Sequence, residues 1–123
     1  MRNEPTFGVL KRKTLASVTG AEVDSDRIEF MTTRGRKFVL YHSQGCCEHV
    51  RLAEVIGDVN DLIGTPILYA AEVSSEGHPA PEHPDSYTWT FYRLTTIKGS
   101  VTLRWLGESN GYYSESVSFV EIS

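Results

Sequence analysis

With 123 residues, 40% of them hydrophobic and 23% charged, the chain has the size of one domain and enough apolar content to build a core. A formal net charge of −4 argues against general nucleic-acid binding. Mean hydropathy of −0.26 fits a folded, soluble chain rather than a disordered one. No apolar run approaches the roughly 18 residues of a membrane span, and MRNEPTFGVLKRK lacks the apolar stretch of a signal peptide. A cytoplasmic protein with no membrane partner is therefore expected.

Charge is unevenly spread. Residues 1–41 hold eight Lys/Arg against five Asp/Glu, and residues 42–123 hold four against eleven. The two halves can attract each other within a subunit or between subunits, so a homo-oligomer of closed symmetry is expected. Such asymmetry also marks basic nucleic-acid edges, but eight cations spread over 41 positions make a weak case for one.

In chain order, residues 1–14 read as an N-terminal arm. Residues 15–23 read as a first strand, ending in a turn at Asp24-Ser25-Asp26. Arg27 to Thr33 alternates, with Ile28 and Phe30 on one face. A turn at Arg34-Gly35 leads into Arg36 to His42, with Phe38 and Leu40 inward. Val50, Leu52, Val55 and Ile56 fit a short strand or an irregular buried segment equally well. Asp58 to Leu62 suits a single helical turn capped by Asp58, with Gly64 past its end. Residues 67–73 read as a strand. Residues 74–85, with three prolines, a glycine and two histidines, read as an exposed loop.

Residues 86–122 carry both tryptophans and read as three antiparallel strands joined by two-residue turns at Lys98-Gly99 and Asn110-Gly111. The expected fold is mainly β, with antiparallel meanders forming two small sheets or one mixed sheet, and one or two short helical turns. The assumed turns set Trp89 beside Glu108 and Tyr113, Phe91 beside Leu106 and Glu115, and Arg93 beside Arg104 and Val117. Tyr92, Leu94, Trp105 and Leu103 fall on the opposite, core-like face. Two arginines directly opposed on a sheet are unfavourable. Either Glu115 neutralises them or they await an anion such as a pyrophosphate. Trp89, Phe91 and Tyr113 would then stack a base. The candidate ligand site is thus Trp89, Phe91, Arg93, Arg104 and Tyr113, with Asn110 at the adjoining turn.

The candidate metal ligands are His42, Cys46, Cys47 and His49. Adjacent cysteines converge poorly on one ion, and the usual C-x2-C spacing is missing. Cys46 and Cys47 are read instead as small apolar residues at a strand end, binding no metal and forming no disulfide with each other. A Cys-His nucleophile lacks a visible orienting group or oxyanion hole. His78 and His83 belong to the proline-rich loop. No Walker-type loop, G-x-G-x-x-G, H-E-x-x-H or G-x-S-x-G occurs. No cofactor and no catalytic residue is assigned.

Four segments together resemble a family of small phage and prophage proteins. They are His42-Ser-Gln-Gly-Cys-Cys-Glu48, Ile56-Gly-Asp-Val-Asn-Asp-Leu-Ile-Gly64, Tyr87-Thr-Trp-Thr-Phe-Tyr92 and Gly107-Glu-Ser-Asn-Gly-Tyr-Tyr-Ser-Glu115. The resemblance runs from about Ser25 to Ile122 and implies a bacterial host cell as the setting. Size and architecture are also similar to those of the Thoeris anti-defence sponge family, phage proteins that sequester cyclic ADP-ribose signals as oligomers. No ligand residue of that family is carried over. The resemblance implies a ligand class, an adenine-containing molecule with a pyrophosphate. Three function classes stand side by side: a sponge for a cyclic adenine nucleotide, a protein-interaction module or host-enzyme inhibitor using the same face, and an enzyme acting on a nucleotide.

Overall fold

The computed structural model describes residues 6–43, 48–75, 86–109 and 115–122. Its strands are β1 (Leu15–Thr19), β2 (Arg27–Thr32), β3 (Lys37–Tyr41), β4 (Glu48–Ile56), β5 (Tyr69–Ser75), β6 (Ser86–Thr96), β7 (Gly99–Ser109) and β8 (Ser118–Ile122). Two 3-10 turns, Phe7–Leu10 and Val59–Leu62, complete the described elements. The strands form two antiparallel four-stranded sheets, ordered β1-β2-β3-β8 and β4-β7-β6-β5. Among the described residues no helix is long and apolar enough to cross a membrane.

Alternation puts Ile28, Phe30, Phe38 and Leu40 of the first sheet against Val50, Leu52, Tyr92, Leu94, Val101, Leu103 and Trp105 of the second, all essentially excluded from water. Phe7 and Leu10, from the first 3-10 turn, join this core. Phe7 meets Phe30, Tyr92 and Phe119 edge-on, at centroid distances of 6.2, 4.8 and 5.1 Å. Tyr92 donates its hydroxyl to Glu72 at 2.5 Å, and burial first, then the carboxylate, pushes its ionisation well above the usual range. The expected Asp58 cap is present: its side chain accepts from the Asn60 amide.

Three expectations about residues 86–122 are corrected. The first turn is Ile97-Lys98, not Lys98-Gly99, because Thr96 pairs with Gly99. Gly99 serves a different purpose: a Cβ there would lie 2.7 Å from the Asp61 carboxylate. Asp61 also receives the Thr96 hydroxyl at its carbonyl, and Lys98 Nζ donates to the Ile63 carbonyl at 2.7 Å, so the second 3-10 turn fixes where the hairpin reverses. The register therefore moves by two residues. Faces survive a shift of two, but partners do not.

The third strand is corrected as well. β8 does not continue the β6-β7 hairpin; it pairs with β3, Val39 opposite Val120 and Leu40 opposite Phe119. The far edge of β7 is taken by β4, paired from Glu48–Ser109 to Ile56–Thr102. Asn110-Gly111 lies outside the described residues. Where the chain re-emerges, it passes so close to β7 that a Cβ on Gly107 would lie 2.4 Å from the Glu115 carbonyl oxygen. The ambiguous segment around Val50–Ile56 is thus a full strand at the edge of the second sheet.

Candidate functional site

The outward face of the second sheet collects the sequence-derived candidates. Trp89, Phe91 and Arg93 of β6 stand opposite Leu106, Arg104 and Thr102 of β7, and opposite Ser75, Val73 and Ala71 of β5. Arg93 and Arg104 are therefore diagonal neighbours rather than an opposed pair, and the repulsion expected between them is not there. Arg104 lies across from Phe91 and spreads its guanidinium over both rings, 4.7 Å from the Trp89 centroid and 5.5 Å from that of Phe91. The two rings are nearly parallel, 6.5 Å apart and tilted by 10°.

Arg104 is also neutralised, but not by Glu115. Its partner is Glu54, directly opposite on β4, with a guanidinium nitrogen bonded to the carboxylate. Glu48, Val50 and Leu52 occupy the inward positions of β4, so strict alternation would send Glu54 into the core. A bulge between Leu52 and Glu54 inverts the phase beyond it. A tertiary contact holds it: the Leu52 amide donates to the Ser25 carbonyl and its carbonyl accepts from the Asp24 amide, both at 2.8 Å. Glu54 consequently faces out beside Arg104, and Val55 turns towards the core. One step along, Arg51 bonds the Glu108 carboxylate.

Glu115 sits elsewhere. Its carboxylate accepts from Thr88 at 2.8 Å and from Ser109 at 2.6 Å, at the end of the sheet where the chain crosses over to β8. The histidines separate too. His42 is buried, with Nδ1 donating to the Ser116 carbonyl at 2.8 Å and Nε2 lying 3.4 Å from Glu48. His49 is exposed and belongs to the outward face, opposite Glu108. His42 and His49 therefore do not converge, and no group of three metal-ligating side chains forms among the described residues. Cys46, Cys47, Asn110 and Tyr113 lie outside the described residues.

The outward face thus has a centre and a rim. Phe91 and Leu106 are 8% and 4% exposed although they point away from the core. Trp89 and Arg104 are half-buried, Arg93 is exposed, and Tyr69 and Val73 on β5 are 49% and 48% exposed. Sequence reasoning placed Glu108 on this face but missed Glu54 and Arg51, and with them the two ion pairs that order it. Alternation alone could not have found Glu54, since the bulge depends on a tertiary contact.

A family model described as a domain of unknown function (DUF7448) matches residues 9–119. Neither the curated proteins nor the solved structures give a match.

Proposed function

Since the chain belongs to the DUF7448 family, whose description assigns no activity, we propose a function from its own residues: it captures a cyclic adenine-nucleotide signal of the cyclic ADP-ribose kind on the outward face of the second sheet and does no chemistry on it. In a phage setting such a protein withholds an immune signal from its host. The observation that carries the reading is the ordered shelf of Trp89 and Phe91 under Arg104, with the exposed Arg93 as its diagonal neighbour. Trp89, half-buried and held parallel to the buried Phe91, loses little entropy when a base stacks on it. Arg93 has no ion-pair partner among the described residues, so its fork is available to a phosphate. Binding without chemistry fits the carboxylates of this face, Glu54 and Glu108, which are occupied by arginines rather than presented to a ligand.

A second reading has its own support. Arg104 is already satisfied by Glu54, and Tyr69 and Val73 extend the face with exposed apolar surface. A centre of Trp and Arg with an apolar margin is also the composition of protein-interaction hot spots.

Thermal-shift screening with cyclic ADP-ribose isomers and cyclic oligonucleotides, followed by heat release of the ligand, separates the readings. Stabilisation with intact ligand recovered supports capture, and altered products indicate an enzyme. No shift with any of them turns the assignment to a protein partner.

A further inference from the structure

Among the described residues, a concentration of unbalanced charge lies away from the aromatic face. Lys11, Arg12 and Lys13 follow the first 3-10 turn, and Arg34 and Arg36 flank the β2–β3 turn. The two segments enclose a cleft of about 410 Å³ whose remaining lining among the described residues is threonine. Their juxtaposition is built in. The Thr33 amide donates to the Thr14 carbonyl at 2.9 Å, and the Arg12 amide donates to the Ile67 carbonyl at 2.7 Å. Within the turn, Thr32 and Arg36 exchange bonds at 2.8 and 3.0 Å.

Two of the five cations are engaged. Arg36 grips Glu121 with two nitrogens, at 2.7 and 2.8 Å, and Lys13 donates to the Val9 carbonyl at 2.8 Å. Lys11, Arg12 and Arg34 are exposed and have no carboxylate partner among the described residues. Arg12 is moreover held at φ +75°, a left-handed backbone that a non-glycine side chain adopts only when its surroundings impose it. A concave site with several cations, hydroxyl donors and no acid among the described lining is suited to a compact polyanion.

We propose that this cleft is a polyphosphate site, taking a small molecule with two or more adjacent phosphates through Lys11, Arg12 and Arg34. The chemistry favours adjacent phosphates over a single one, because the three uncommitted cations are balanced more fully by the charge of two linked phosphates than by that of one. No aromatic ring lines the cleft among the described residues, so it reads phosphate and not base. A long nucleic-acid backbone is disfavoured by the net charge of −4.

Calorimetric titration of the full chain with inorganic pyrophosphate, orthophosphate and sulfate at about 50 mM salt tests this. Pyrophosphate is expected to bind at least about tenfold more tightly than either single anion. Arg34→Ala and Arg12→Gly are each expected to lose about tenfold. Arg12→Gly should also raise the melting temperature, since glycine accepts the left-handed backbone freely, which separates lost binding from lost fold. Arg27→Ala, at an exposed arginine outside the cleft that is already paired with Glu29, should leave pyrophosphate binding unchanged. Equal affinity for all three anions, or undiminished pyrophosphate binding by both cleft variants, overturns the proposal. So does an oligonucleotide that binds these residues and is not displaced by pyrophosphate.

Discussion

On the outward face of the second sheet, Arg104 and Arg51 each meet a carboxylate on the neighbouring strand, Glu54 and Glu108. At the end of the first sheet, Lys11, Arg12 and Arg34 meet none among the described residues. The same residue types serve opposite ends. Paired and laid over rings, an arginine shapes a surface and holds two aromatics still. Gathered with no carboxylate of their own among the described residues, Lys11, Arg12 and Arg34 create a field that an anion relieves. On the proposed function, recognition on the aromatic face would fall to ring stacking plus Arg93 and should tolerate salt. Recognition in the cleft is mostly charge and should fade as salt rises.

Removing the shelf is the harshest way to break the comparison. Trp89→Ala is expected to weaken nucleotide capture by roughly 1–3 kcal/mol, the usual worth of one stacked base. The same variant should leave pyrophosphate binding in the cleft untouched; parallel titrations of both ligands would expose any coupling between the two sites.

Next in size is the pair that fixes Arg104. Arg104→Ala removes a guanidinium that contacts two rings and a carboxylate, so it should destabilise the fold rather than relieve a repulsion. A loss of about 1 kcal/mol is expected, limited because Glu54 is half exposed. Glu54→Ala should cost about as much, and the double variant less than the two losses together. Chemical denaturation of all four proteins measures this; fully additive losses would mean that Arg104 is held by the rings alone.

Arg93→Ala should change stability by less than about 0.5 kcal/mol, as expected of an exposed residue with no ion-pair partner among the described residues. It should nonetheless weaken nucleotide capture about tenfold. A fall in melting temperature would place Arg93 in an interface.

The smallest effect concerns pH on the first sheet. Glu29 is held below the usual carboxylate range by its hydrogen bonds to Lys37 and then Arg27, and Glu121 by its hydrogen bond to Arg36. A lowered native value means that these carboxylates contribute stability above their unfolded ionisation. That contribution is lost as pH falls through the native value, below about 4.5. All are exposed ion pairs, so the contribution should vanish in about 1 M salt. Acid unfolding followed with and without salt checks both the sign and the screening.

The period-two pattern was enough to find the β1-β2-β3 meander, the core face of β6 and β7, and the outward position of Trp89, Phe91, Arg93 and Arg104. These depend on alternation, which each strand carries within itself. What escaped depends on contacts between distant segments. Gly99 looks like a turn glycine, yet it makes room for Asp61. β8 follows an Asn-Gly signal, but it completes the first sheet while β4 occupies the edge of β7. Glu54 lies outward only because Leu52 bonds to the Asp24-Ser25 turn. The basic cleft had a faint signal: Lys11-Arg12-Lys13 and Arg34-Gly-Arg36 sit just beyond the same end of the β1-β2 hairpin, which pairs Leu15 with Thr32. Reading the charges as a total over 41 positions hid that they meet.

Calorimetric titration of cyclic ADP-ribose isomers into the native protein and Arg93→Ala, with melting curves of both, tests the central claim most directly. The account predicts saturable binding by the native protein, about tenfold weaker binding by Arg93→Ala, and the same melting temperature for both. Equal affinity in the two proteins, or no binding of any cyclic adenine nucleotide to the native chain, would contradict it.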